Sequence, residues 1–225
     1  MKIKLGVFIC LILAIGGCLI YLLLLQSPLI TDSENILAKN KEIFQKQVLV
    51  NDDIVRLIYL SDRTLPVVQS KDNKEYLNLD LSGKYDKMGT LFQAKEVNQN
   101  SLNIVIYGHS SSKNNLRLTP LKNSDYIKKN ISFLVLEKGK EVRYQIIGYL
   151  NMDMNNLSLP FYRTTWRNRS EFLNFLKQAN SLSLVDFNLL NEDDIDQSLT
   201  LVTCDLRKKS KRWVIIAVCY NEENE

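Results

Sequence analysis

Short hydrophobic runs rich in β-branched and aromatic residues, separated by polar segments, recur along the chain from residue 54 to residue 219. Each run is six to nine residues long, which is typical of β-strands rather than helices. Seven runs occur, at 54–60, 65–70, 102–108, 132–137, 142–150, 198–204 and 212–219. The sequence KGKE predicts a turn between the fourth and fifth runs. Together they predict a mainly antiparallel sheet or barrel.

Two segments show helical spacing of their apolar residues instead. The first lies within 26–50, where we expect a membrane-proximal stalk and a helix, and the second spans 167–182. The apolar positions are Ile36, Leu37, Ile43, Phe44 and Val48 in the first, and Phe172, Leu173, Phe175, Leu176 and Ala179 in the second. Ser170 is the predicted N-cap of the second helix.

An uncharged run of 21 residues extends from Leu5 to Leu25. A helix of this length can cross a bilayer, and Lys2 and Lys4 before it predict a cytoplasmic N-terminus. Two alternatives stay open: a cleaved signal peptide, whose apolar core is usually shorter, and a lipoprotein lipidated at Cys18 of the sequence IGGC. The predicted organisation is a tail at 1–4, a transmembrane anchor at 5–25, a stalk with a helix at 26–50, and an extracellular domain at 51–225.

Composition and charge exclude several classes of protein. Of 225 residues, 45% are hydrophobic, and only 8 are Gly and 4 are Pro, which fits a globular protein rather than a disordered or collagen-like one. Without Lys2 and Lys4, the 29 basic residues fall to 27 against 25 acidic ones, so the charge does not indicate nucleic-acid binding. One His and two Cys beyond residue 25 are too few for a zinc site, and no Gly-rich phosphate loop is present.

Two cysteines, Cys204 and Cys219, fall in the part of the chain predicted to be exported, where a disulfide is the usual expectation. If the last two runs form a hairpin, Cys204 lies near its turn and Cys219 at its far end. About seven residues of strand, roughly 23 Å at ~3.3 Å each, would separate them. A disulfide requires Cα atoms within ~7 Å, so we predict that Cys204 is a free thiol.

Three residues with distinctive chemistry stand at the ends of predicted strands. His109 is the single histidine and follows one strand, Cys204 ends another, and Arg212 begins the next. A thiolate can attack a carbonyl, an imidazole can move the proton, and a guanidinium can stabilise the oxyanion. Each residue also has an ordinary structural interpretation, as a turn histidine, a buried inert cysteine or a solvated turn charge. Their convergence at one end of a barrel would indicate cysteine-dependent acyl transfer.

Three motifs then resemble one family. TLVTC (200–204) resembles the TLxTC motif of sortases, the cysteine transpeptidases of Gram-positive bacterial surfaces. NIVIYGH (103–109) resembles their histidine strand, and RWVIIAV (212–218) resembles the strand that begins with their arginine. The block at 66–92 and the helix at 167–182 are similar to class B members. The resemblance implies an eight-stranded sortase-like β-barrel with an N-terminal helix and a helix inserted before the nucleophile strand.

The resemblance also assigns roles by position. It implies that Cys204 is the nucleophile, His109 the acid and base, and Arg212 the stabiliser of the oxyanion. The substrate-binding residues that it implies are Asn73, Leu77, Phe161, Tyr162, Val202, Thr203 and Asp205. Departures from the class B pattern occur at GHSSS after the histidine strand, at Val202 in place of a frequent Ser, and in the short loop between Cys204 and Arg212.

The activity implied is that of a membrane-anchored enzyme, single-pass with an extracellular catalytic domain. It would cleave a C-terminal sorting motif of exported proteins through a thioester and transfer the product to a cell-wall amine of peptidoglycan or its precursor. No cofactor, metal or nucleic acid is expected. Three alternatives stay open: a cysteine protease that uses water, a pilin-polymerising sortase, and a non-catalytic surface-binding module.

Overall fold

The computed structural model of the chain describes residues 42, 45–46, 48–111, 117–137, 140–187, 192–205 and 207–220. The predicted tail, transmembrane anchor, Cys18 and most of the stalk lie outside these residues, as does the centre of the KGKE turn. Of the N-terminal helix, the described residues Glu42, Gln45, Lys46 and Val48 are helical. Within the described part of the chain, no helix is long and apolar enough to cross a membrane.

Eight strands close into a barrel in the order β1-β2-β3-β4-β7-β8-β6-β5. Their bounds are β1 Ile54–Leu60, β2 Arg63–Val68, β3 Leu91–Gln93, β4 Asn103–Tyr107, β5 Ser132–Glu137, β6 Lys140–Asp153, β7 Ile195–Cys204 and β8 Lys211–Tyr220. The β2–β3 and β4–β7 pairs are parallel and the other six are antiparallel. The eight-stranded barrel is confirmed. The hydrophobic pattern alone identified seven strands, because β3 is only three residues long.

Besides the N-terminal helical residues, the described part of the chain contains two α-helices outside the barrel: α1 Ser124–Lys129 and α2 Arg169–Ser181. Helix α2 lies between β6 and β7, so the predicted insertion before the nucleophile strand is confirmed. Its buried residues are Phe172, Phe175, Leu176 and Ala179, with Leu173 partly buried beside them. Ser170 as its cap is wrong. Asn168 has the extended backbone of an N-cap and accepts from the Glu171 N–H at 2.9 Å, whereas Ser170 lies inside the first turn.

Three strand pairings place four strand ends at one edge of the barrel. Strands β4 and β7 run parallel, with Tyr107 opposite Val202, so both end at that edge. Strand β8 runs antiparallel to β7, with Arg212 opposite Cys204, so β8 begins there. Strand β6 ends at the same edge, because Asp153 pairs with Lys211.

A fully buried amide at the start of β4, the end of the strand away from this edge, joins the barrel to the chain that follows β6. The Nδ2 of Asn103 donates to the carbonyls of Phe161 and Arg163 at 3.0 and 2.8 Å. Its Oδ1 accepts from the hydroxyls of Ser198 and Thr200 at 3.0 and 2.7 Å. Asn103 therefore links β4, β7 and the 161–163 segment through four hydrogen bonds. A buried amide avoids a large desolvation cost only when its donor and acceptor atoms are hydrogen-bonded, as they are here.

Candidate active site

His109, Cys204 and Arg212 lie at the barrel edge that the strand pairings define. His109 follows β4 by two residues, and Cys204 is the last residue of β7, directly opposite Arg212. The loop carrying the histidine is tied to the nucleophile strand, because Gly108 N donates to Val202 O at 3.1 Å. Ser110 adds a second tie, since its hydroxyl donates to Cys204 O at 2.8 Å.

A cavity of about 630 Å³ opens at this edge, and His109, Cys204 and Arg212 all line it. Predicted substrate-binding residues that also line it are Asn73, Leu77, Phe161, Tyr162, Val202 and Thr203. Asp205 does not line it. The remaining lining residues, which the sequence interpretation missed, are Phe92, Tyr107, Gly108, Met154 and Leu157. Tyr107 and Gly108 belong to the histidine motif itself, whereas no periodic pattern marks Met154 or Leu157.

His109 is half-buried, and a backbone carbonyl holds its ring. The Nε2 atom lies 3.0 Å from the carbonyl oxygen of Leu77. A carbonyl can only accept, so this contact is a hydrogen bond when Nε2 carries the proton. In the neutral ring Nδ1 is then the proton acceptor. Leu77 thereby contributes both an apolar side chain to the cavity and an anchor to the imidazole.

The Arg212 guanidinium is held from one side. Its Nη1 donates to the carbonyls of Lys209 and Lys211 at 2.8 and 2.9 Å. No other partner of its Nε or Nη2 occurs among the described residues. A guanidinium carries five N–H groups in one plane, so those that remain can donate to an oxygen in the cavity. The arrangement suits an oxyanion formed at a carbon bonded to the Cys204 sulfur.

Asp205 lies behind the cavity rather than in it. Its buried carboxylate accepts from the side-chain amide of Asn151 at 3.0 Å and from the Arg207 N–H at 2.9 Å. Burial opposes ionisation, but these hydrogen bonds and the nearby Arg207 charge outweigh it and lower the pKa of Asp205. Asp205 therefore fixes the turn rather than contacting the cavity.

The cavity walls are mostly apolar, with a few polar side chains among them. Phe161 is buried, whereas Tyr162 is half exposed beside it with the two rings edge to face. Asn73 is a polar lining residue whose side chain is fixed, because its Oδ1 accepts from Lys95 N at 2.8 Å and its Nδ2 donates to Glu96. Thr203 is also buried, and its hydroxyl has no hydrogen-bond partner among the described residues. An extended peptide with apolar side chains fits such a groove.

Both described cysteines are free thiols, as the predicted spacing required for Cys204. Cys219 pairs with Gln197 at the far end of the hairpin, where burial raises the pKa of its thiol to about 11. Among the described residues, no group of three or more His, Cys, Asp or Glu could hold a metal ion. Cys204 is therefore the accessible sulfur at the cavity.

Comparison with known proteins agrees with this geometry. The sortase domain model matches residues 58–219. Sortase B of Staphylococcus aureus is 29% identical over 183 residues, which cover 77% of this chain and 73% of that protein. A cysteine-to-serine form of Clostridium perfringens sortase B superposes with a TM-score of 0.73 at 25% identity, over 84% of this chain and 92% of that one.

A structure described as a Staphylococcus aureus sortase B–substrate complex superposes with a TM-score of 0.71 at 22% identity, over 84% of this chain and 92% of the other. At this identity the likeness concerns the fold alone. The family match covers most of the chain, including the three strands that carry His109, Cys204 and Arg212. The chain thus belongs to the sortase family of cysteine transpeptidases and resembles its class B members.

Proposed function

We propose that this protein cleaves a sorting motif near the C-terminus of exported proteins and joins the new carboxyl end to an amine of the cell wall. The observation that carries the proposal is the convergence of Cys204, His109 and Arg212 on one cavity in a chain that belongs to the sortases. Sortase B of Staphylococcus aureus has been crystallised as a substrate complex, and another sortase B structure contains triglycine, which supports a peptide donor and an amine acceptor.

In the first half-reaction the Cys204 thiolate attacks the carbonyl carbon of the scissile amide. The carbonyl π electrons move to oxygen, and the Arg212 N–H groups that are free of the turn carbonyls donate to that oxyanion. The C–N bond then breaks as His109 gives a proton to the leaving nitrogen. A thioester remains on Cys204, and the C-terminal fragment leaves as an amine.

In the second half-reaction an acceptor amine attacks the thioester carbonyl. His109 takes the proton of the attacking nitrogen, the C–S bond breaks, and the Cys204 thiolate is restored. One amide replaces another, so no oxidant, reductant or cofactor enters the balance. Water in place of the amine would give a hydrolase, and the apolar cavity walls disfavour ordered water beside the thioester.

We further propose that residues 5–25 anchor the protein in the cell membrane with residues 1–4 in the cytoplasm. The uncharged length of that run and the positions of Lys2 and Lys4 support this orientation. The full chain should resist alkaline extraction from membranes, and a chain lacking residues 1–25 should not. Incorporation of a labelled fatty acid that is lost in Cys18→Ala would instead favour the lipoprotein alternative.

The transpeptidase proposal is tested with a peptide library, triglycine as the acceptor and mass spectrometry of the products. Wild-type protein should ligate triglycine to one family of peptides at a single position. Cys204→Ala should fold and form no ligated product. Cys219→Ala is the matched control, because that thiol lies at the far end of the hairpin, and it should retain ligation.

Product identity separates the alternatives. Cleaved peptide with triglycine attached supports transfer, whereas cleaved peptide with only water added, at saturating triglycine, would make the enzyme a hydrolase. Undiminished cleavage by Cys204→Ala would remove the proposed nucleophile altogether. A wild-type protein that binds library peptides without cleaving them would favour a non-catalytic module.

A further inference from the structure

The turn that joins β7 to β8 is strongly basic. Five of the six residues at 207–212 carry a positive charge, and we call them the basic turn: Arg207, Lys208, Lys209, Lys211 and Arg212. The first three are exposed and the last two half-buried. Residues 5–225 carry 27 basic and 25 acidic groups, which gives a net charge of +2. The five positive charges of this one turn exceed that net charge.

Few acidic groups offset this charge. Asp205 pairs loosely with Arg207 at 3.8 Å, and Asp153 lies opposite Lys211 in the β6–β8 register. The Asp153 carboxylate accepts from Asn155 N, and no ion pair joins it to the basic turn among the described residues. Five cations against these two carboxylates leave a net charge of about +3 at the rim. Lys122 adds to it, being close enough to feel the charges of Asp205 and Arg207.

The basic turn is held in a fixed position beside the cavity. Asp205 N donates to Lys211 O at 3.0 Å, and Lys211 N donates to Lys208 O at 2.8 Å. Met154 N donates to Ser210 O at 2.8 Å, which fastens the turn to the cavity wall. Charges that are fixed in advance attract a ligand without the cost of ordering the chain first.

We propose that the basic turn recruits the acceptor substrate through carboxylates on that acceptor; this rests on the proposed transpeptidase function. An acceptor enters as an ammonium ion, which a rim of charge +3 repels. Carboxylates elsewhere on the same molecule reverse that repulsion and raise its local concentration. The donor peptide is a weaker candidate for the ligand of the basic turn. Its reacting segment lies in the mostly apolar cavity, which Arg212 alone of the basic turn lines.

The test lets two acceptors compete in one reaction. Gly-Gly-Gly-Glu-Glu amide and Gly-Gly-Gly-Gln-Gln amide differ only in their carboxylates, and the library-selected peptide serves as the donor. We expect wild-type protein to prefer the acidic acceptor by about fivefold at ~0.1 M salt, where two carboxylates would meet several cations within a Debye length of ~10 Å. The preference should fall toward one in 0.5 M salt and in Lys208→Gln/Lys209→Gln.

Lys128→Gln/Lys129→Gln is the matched control, since it also removes two exposed lysines. These lysines end α1, close to the start of β5 at Ser132, which pairs with Gln145. Arg212 pairs with Met152, seven positions further along β6, or roughly 23 Å at ~3.3 Å per residue. The control should therefore keep the fivefold preference.

A second measurement reads the charge at Cys204 without donor or acceptor. Anionic and cationic methanethiosulfonates label the thiol, with Cys204→Ala as the blank. The ratio of their rate constants cancels any change in thiolate fraction. The anionic reagent should be favoured in wild type, and the ratio should drop severalfold in Lys208→Gln/Lys209→Gln but not in Lys128→Gln/Lys129→Gln.

The outcomes separate the two proposals. Equal use of both acceptors by a protein that ligates triglycine would overturn the role of the basic turn and leave the transpeptidase intact. A ratio of labelling rate constants that is the same in wild type and in Lys208→Gln/Lys209→Gln would also overturn the role of the basic turn. Lysine-dependent binding to phosphatidylglycerol vesicles without an acceptor preference would assign the turn to the membrane. Absence of any ligation would refute the transpeptidase and, with it, acceptor recruitment.

Discussion

Replacing Asn103 by Leu tests how the barrel is held to the segment that follows β6. The four hydrogen bonds of the Asn103 side chain join β4 and β7 to the carbonyls of Phe161 and Arg163. Leucine has the same number of side-chain heavy atoms and the same branching at Cγ, so it keeps the site filled and the loss is mainly of these bonds. At ~1 kcal/mol for each of four bonds, we expect about 4 kcal/mol of destabilisation, much of the 5–15 kcal/mol typical of a domain.

A graded variant keeps this prediction measurable if Asn103→Leu fails to fold. Thr200→Val removes the single 2.7 Å bond to Asn103 and should cost roughly 1–2 kcal/mol. Urea unfolding followed by Trp fluorescence reports both, because Trp166 packs on Phe172 and Trp213 stacks on Tyr149. Asn174→Leu, on the exposed face of α2, is the control and should change the free energy of unfolding by less than ~0.5 kcal/mol.

Activity should follow the same contacts. Without Asn103 the Phe161 carbonyl is released, and the aromatic wall of the cavity loses its anchor to the nucleophile strand. We therefore expect a lower kcat/KM for the donor peptide in the variant that still folds. A cost below ~1 kcal/mol for Asn103→Leu, or a cost for Thr200→Val equal to it, would refute the view that this amide holds the 161–163 segment to β4 and β7.

Three further predictions concern single sites. Gly89→Ala should destabilise the protein by roughly 2 kcal/mol or more in urea unfolding, because φ is +54° and an added Cβ would clash with the carbonyl oxygen of Tyr76. A neutral effect would contradict this backbone geometry. The folded pKa of Asp205 is lowered, so its ionised form stabilises the protein above the unfolded pKa of ~3.9, and this stabilisation is lost as pH falls through the lower folded value. Asp205→Asn should therefore make the free energy of unfolding less dependent on pH below about pH 4. An unchanged pH profile would exclude a stabilising role of this carboxylate. Cys219 should resist labelling by iodoacetamide at pH 8, since burial raises the pKa of its thiol to about 11. Peptide mapping that finds Cys219 labelled as fast as Cys204 would contradict its burial.

The barrel was largely predictable because its strands carry their own signal. The run at 132–137 matches β5 residue for residue, and the runs ending at Cys204 and beginning at Arg212 match the β7–β8 hairpin closely. Strand β3 has three residues, too few for a period to show. The cap of α2 was misassigned because Asn168 and Ser170 are both good capping residues, and only the backbone conformation decides between them.

The candidate site was predictable in part, for a related reason. His109, Cys204 and Arg212 stand at strand ends, and a closed barrel brings such ends together at one edge. Asp205 was placed in the substrate groove because it follows the nucleophile, whereas its carboxylate is hydrogen-bonded to Asn151 and to the Arg207 N–H and does not line the cavity. The four bonds of Asn103 depend on residues 58 to 97 positions away, and no local pattern contains them.

The most direct test of this account is the intact mass of the protein during reaction with its donor peptide. In the absence of an acceptor, we expect a mass increase equal to the N-terminal fragment of the peptide, located on Cys204 by digestion. Addition of triglycine should discharge the adduct into ligated product. Cleavage without any adduct on Cys204, or an adduct that also forms on Cys204→Ala, would contradict the thioester mechanism.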